Sequence, residues 1–143
     1  MGKKKGFAAA AADDLYNLSV RKKAMQLCRR LFEDLCRAQG CYSQIAGEDA
    51  AANRFMSENE QIMGIISSIA KAISPREKMA APKFTPPSKA KIRPYLSALL
   101  CEIASDIVSL TSLVNIPRMQ RELVLAGDLL LKQLTYILPY KIQ

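Results

Sequence analysis

The chain contains no histidine and no tryptophan. Without imidazole there is no His-dependent triad, no imidazole general base and no histidine ligand for a metal. A Gly-rich phosphate loop and a paired acidic motif are also missing, so neither an enzyme nor a bound cofactor is expected. The four cysteines, Cys28, Cys36, Cys41 and Cys101, form no CxxC pair, which argues against a zinc site. Cys28 and Cys36 fall on or beside the apolar side of a helical pattern and read as small buried hydrophobes in a reducing compartment. No segment reaches eighteen uncharged apolar residues, because the longest candidate, 95–116, is interrupted by Glu102 and Asp106. The opening "MGKKKGFAAAAADD" fails as a signal peptide, since its apolar run is short and is cut by Asp13 and Asp14. Gly6 stands where a myristoylation signal takes Ser or Thr. A cytoplasmic protein with no membrane partner is the expectation.

What remains is rich in Ala, Leu and Ile at helical spacing, with half of the residues apolar and no hairpin signal. A chain of 143 residues suits one domain. The reading is a basic tail over 1–12 and one all-α domain over 13–143: a four-helix bundle with a long proline-rich connection between helices 2 and 3. The first helix is expected to start near Asp13 or Asp14 and to end at Gly40. Ser57 and Glu60 have the capping-box spacing and predict the start of the second, with "GEDAAANRF" adding a turn or short helix before it and Pro75 stopping it. "SPREKMAAPKFTPPS" holds four prolines and reads as the connection. The third helix begins either after a Ser88 cap or at Pro94, which would leave Lys89, Lys91 and Arg93 in the connection. It has few polar residues and is expected to be buried nearly all round, by neighbours or by another subunit. The fourth starts near Pro117 and ends at Pro139.

Charge is segregated. Residues 1–40 carry nine cations against four carboxylates, 41–70 are net acidic, 71–93 carry seven cations against one carboxylate, and the remainder is neutral. On an ideal helix Lys22, Arg29, Arg30 and Arg37 share one face opposite Ala24, Leu27, Leu31 and Leu35. That face, the tail Lys3, Lys4 and Lys5, and the run Arg76, Lys78, Lys83, Lys89, Lys91 and Arg93 are expected to form a track for phosphates with little sequence reading. Phe84 and Tyr95 are the aromatics placed to stack on bases.

"IISSIAKAISPREK", "KIRPYLSALLCEIASDIVSLTSLVN" and "RELVLAGDLLLKQLTYILPYKI" follow one another in an order that resembles a four-helix bundle family. This family includes the accessory variability determinant of diversity-generating retroelements and the proteins encoded in intervening sequences of bacterial 23S ribosomal RNA genes. The likeness covers about residues 59–142. It departs at "LTYILPYK", where the family carries arginine and a longer leucine run, and the first helix has no counterpart. The resemblance implies a basic, barrel-like homo-oligomer, typically a pentamer, that binds nucleic acid and a reverse transcriptase; of the nucleic acids, RNA is expected over DNA. The expected function is thus a non-enzymatic nucleic-acid-binding accessory subunit of a nucleoprotein complex. The alternative is a structural or adaptor bundle whose contacts are with protein only and whose charge is solubilising.

Overall fold

The computed structural model describes residues 18–142, and the side chains of residues 18–138. Within them the chain forms four helices and no strand: α1 (Leu18–Ile45), α2 (Ala50–Ile73), α3 (Lys89–Leu113) and α4 (Pro117–Ile142). Each buries a seam that advances by alternate steps of three and four. On α1 it runs Ala24, Cys28, Leu31, Leu35, Ala38, Tyr42, Ile45; on α2 Ala52, Phe55, Asn59, Ile62, Ile66, Ile69, Ile73. On α3 it runs Ile92, Leu96, Leu99, Ile103, Asp106, Leu110, and on α4 Met119, Leu123, Ala126, Leu130, Gln133, Ile137. A mean step of 3.5 is the period of side chains that interlock between nearly parallel helices. The apolar members of the four seams form one core.

Several boundaries differ from the sequence expectation. The start near Asp13 and the tail over 1–12 lie outside the described residues, and α1 continues through Gly40 to Ile45. A Cβ at Gly40 would stand 3.2 Å from the Phe84 ring, so the missing side chain makes room for a ring rather than a stop. Helix α2 begins seven residues before Ser57, because Asp49 caps it by accepting the Ala51 N–H at 3.1 Å. Helix α3 begins at Lys89, with Pro94 accommodated inside it, and α4 runs past Pro139. Nor is α3 buried all round: Cys101, Glu102, Ser105, Val108, Ser109 and Ser112 are exposed along it. By length and composition α3 could cross a membrane, and nine of its residues are buried in the bundle, Asp106 among them.

Short links join α1 to α2 and α3 to α4, and the other neighbouring pairs are α1 with α3 and α2 with α4. Long-range ion pairs fix the directions. Arg30, early in α1, meets Asp106, late in α3, while Arg93, early in α3, meets Asp49 beyond the end of α1. Helices α1 and α3 are therefore antiparallel, α2 and α3 run the same way, and residues 74–88 travel the length of the bundle. They follow α1. Glu77 bonds Arg29, Phe84 covers Gly40 and stacks on Tyr95 with ring centroids 5.9 Å apart, and Lys89 reaches Glu48.

The core also holds a buried polar chain. The Tyr42 hydroxyl donates to Gln133 Oε1 at 2.8 Å, and Gln133 Nε2 donates to Asn59 Oδ1 at 2.8 Å, tying α1, α4 and α2 together at one level. All three side chains are fully buried, and burial pushes the Tyr42 phenol well above its usual range.

Candidate nucleic-acid interface

The cations gather where the connection leaves α2. One cleft there is lined by Arg21, Lys22, Met25 and Arg29 of α1 and by the turn 73–77. A second, of about 730 Å³, lies on the other side of the same turn, between Phe32 of α1, Ser67, Ala70 and Lys71 of α2, and the stretch Pro75 to Met79. The two clefts share Pro75, Arg76 and Glu77. Six cations line the pair, Arg21, Lys22, Arg29, Lys71, Arg76 and Lys78, and Glu77 is the one carboxylate among the lining residues. Arg29 grips it with two hydrogen bonds of 2.7 and 3.1 Å. That contact holds the Glu77 carboxyl below the usual glutamate range and pushes the Arg29 guanidinium further up. Five cations are left to share a mouth whose single acid is already engaged. Such a mouth attracts polyanions, because like charges crowded at a concave surface add their fields.

The basic face expected along α1 is partly neutralised. Arg30 is bidentate to Asp106, both bonds at 2.8 Å, although its side chain remains 60% exposed. Arg37 is 28% exposed and donates to Asp34 at 2.7 Å with Glu33 beside it, so it is not the open cation expected from the helical wheel. Asp34 is buried, and desolvation pushes its carboxyl upward against the pull of Arg37. Farther along, Lys89 and Arg93 belong to α3 rather than to a loose connection, and Glu48 and Asp49 hold them. Lys83 and Lys91 are exposed at that end. Lys22 is exposed in the basic mouth, while Lys3, Lys4 and Lys5 lie outside the described residues.

Phe84 and Tyr95 stack on each other, so each ring already gives one face to its neighbour. The sequence reading missed Arg21 and Lys71 as members of the basic mouth and took Phe32 as a neighbour of the core stripe. A signal was there for Lys71: it stands in the last turn of a helix, four residues before Pro75, and a sharp stop delivers that turn to the same surface as the next residues. Burial pushes the Cys28 thiol up to about 12 and Cys41 to about 11, so both act as apolar filling. Among the described residues no group of three or more Cys, Asp or Glu is placed to hold a metal ion.

The geometry defines a helical bundle with one crowded basic end. Comparison with family models, with curated proteins and with solved structures finds no match.

Proposed function

We propose that the protein is a non-enzymatic nucleic-acid-binding bundle that grips phosphates at the end formed by the start of α1 and the turn after α2. The observation that carries this reading is the convergence of six cations from three segments on two adjoining clefts around one neutralised acid. A merely solubilising charge has no reason to collect in this way, since clustering cations costs self-repulsion. The family resemblance favours a role as an accessory subunit beside a reverse transcriptase, and the nucleic acid we propose is RNA. The test is a salt titration of binding to a single-stranded RNA. Affinity should fall steeply with salt, and changing Arg21, Lys22 and Arg76 to Gln together should lower the slope by about two units, at roughly 0.7 per contact, without changing the melting temperature. An unaltered slope removes this end from the reading. No binding to any polyanion leaves the protein-only adaptor.

Self-association has its own support, on α4 rather than on α3. Val124 is 57% exposed and Leu131 61%, with Leu125 and Leu138 beside them on the outer side. A shallow groove there is lined by Pro117, Gln120, Arg121, Val124, Leu125 and Asp128. The charges are self-complementary: an antiparallel two-fold pairing centred between Val124 and Leu125 sets Arg121 of one copy against Asp128 of the other while the apolar pair meets in the middle. We propose that a second copy covers this groove. Light scattering at micromolar concentration should give a dimer or higher multiple, Arg121→Asp should yield monomer, and adding Asp128→Arg should restore association. A wild-type monomer, or a swap that fails to rescue, overturns it.

A further inference from the structure

We infer that the cleft between α1 and α2 holds an unpaired nucleotide of a single strand, with its base against Phe32 and its phosphates on Lys71, Arg76 and Lys78. The inference rests on the polyanion reading above and narrows it from charge to strand type.

Phe32 stands at the edge of the α1 seam, about 100° round the helix from Leu31 and about 40° from Cys28, both of them fully buried. Phe32 is partly buried, is not among the side chains packed on the core, and lines the cleft instead. The other described aromatics have ring partners: Tyr42 with Phe55, Phe55 with Tyr136, and Phe84 with Tyr95. Among the described residues, then, the aromatic without a ring neighbour is the one that walls a cleft rimmed by cations. Ala70 and Met79 add apolar surface to the same cleft, and Met79 is itself packed on the core, so that surface is anchored. A volume of about 730 Å³ has room for a nucleotide.

The combination selects a ligand. Phosphate alone needs the cations and has no use for Phe32; a lone apolar group has no use for three cations around it. An unpaired nucleotide uses both, since its base presents an apolar π-face and its phosphates carry the charge. In a duplex the bases are stacked on each other and only phosphates can reach the cleft. Stacking on one aromatic contributes about tenfold to a hundredfold in affinity, so Phe32 should matter to single strands and be silent to duplexes.

The chain has no tryptophan, so Phe32→Trp in the full-length protein installs a single reporter at the site. Its emission should be quenched by an adenine-rich single-stranded RNA and unaffected by a blunt RNA duplex of equal length or by inorganic polyphosphate, although all three bind. Phe32→Leu keeps an apolar side chain and should lower single-strand affinity about tenfold while duplex and polyphosphate affinities stay unchanged. If the Leu variant binds the single strand as tightly as wild type, or if polyphosphate quenches as well as RNA does, the base is not at Phe32, and the polyanion reading survives without this refinement. Adenosine monophosphate that quenches at the same nucleotide concentration overturns the strand assignment in favour of a free-nucleotide pocket. Should the Leu variant fail to fold, the quenching comparison decides alone. If wild type binds none of these probes, both readings fall.

Discussion

The two ends of the segment that joins α2 to α3 carry similar charge and treat it in opposite ways. Where it enters α3, two basic side chains at the junction find acids, Lys89 with Glu48 and Arg93 with Asp49, while Lys91 between them stays exposed. Asp49 is buried and does more than balance charge, since it caps α2 and accepts the Tyr136 hydroxyl at 2.8 Å, bringing three helices to one carboxylate. Where the segment leaves α2, five cations share a mouth whose single acid is held by a sixth. Paired charge is spent on holding elements together. Unpaired charge of one sign, gathered in clefts, stays available to a partner, at a cost in self-repulsion that the fold itself gains nothing from.

Breaking the paired end should give the largest effect. Asp49→Ala removes a helix cap, a buried partner for Arg93 and the acceptor of Tyr136, and is expected to cost about 3–5 kcal/mol, read as a lower denaturant midpoint. Polyanion binding by the folded fraction should be unchanged. The converse substitution at the open end sharpens the contrast: Glu77→Gln deletes the one acid among the described residues lining the basic mouth and should tighten single-strand RNA binding about threefold at low salt. A weakening there would mean that Glu77 orders the turn more than it opposes phosphate. The same variant has a pH signature. The Glu77 carboxyl sits below its ordinary value of 4.5 because Arg29 bonds its charged form. Its contribution to stability is therefore complete above that value and is lost as pH falls through the depressed one. Glu77→Gln should remove part of the acid-side fall in melting temperature and leave the neutral region nearly flat.

Much of the scaffold was legible because its signals are local. The seams of all four helices repeat along contiguous sequence, and Pro117 marks the start of α4 through its own backbone. The boundaries that failed depended on distant residues. Gly40 looked like a stop and is a seat for Phe84, 44 positions away; Ser57 looked like a cap, and Asp49 had already capped the helix. The candidate site divides along the same line. A helical wheel placed Arg29, Arg30 and Arg37 on a basic surface, which is correct for their direction, but it could not see Asp106, 76 positions from Arg30, or Glu77, 48 positions from Arg29. Whether a cation is free depends on which carboxylate the topology brings beside it, and periodicity carries no information about that. Phe84 and Tyr95 illustrate the point again, since each took the other as its ring partner.

The polar chain of Tyr42, Gln133 and Asn59 has a consequence for how the helices are indexed against one another. Seams that repeat every seven residues are degenerate under translation: sliding a helix by one heptad, about 10 Å, returns apolar residues to apolar positions. Moving α4 by seven would bring Ala126 to the place of Gln133 and strand a phenol and an amide in a dry interior, at about 1–3 kcal/mol for each group left alone. Three hydrogen-bonding side chains at one level therefore act as the origin mark of an otherwise repeating scale.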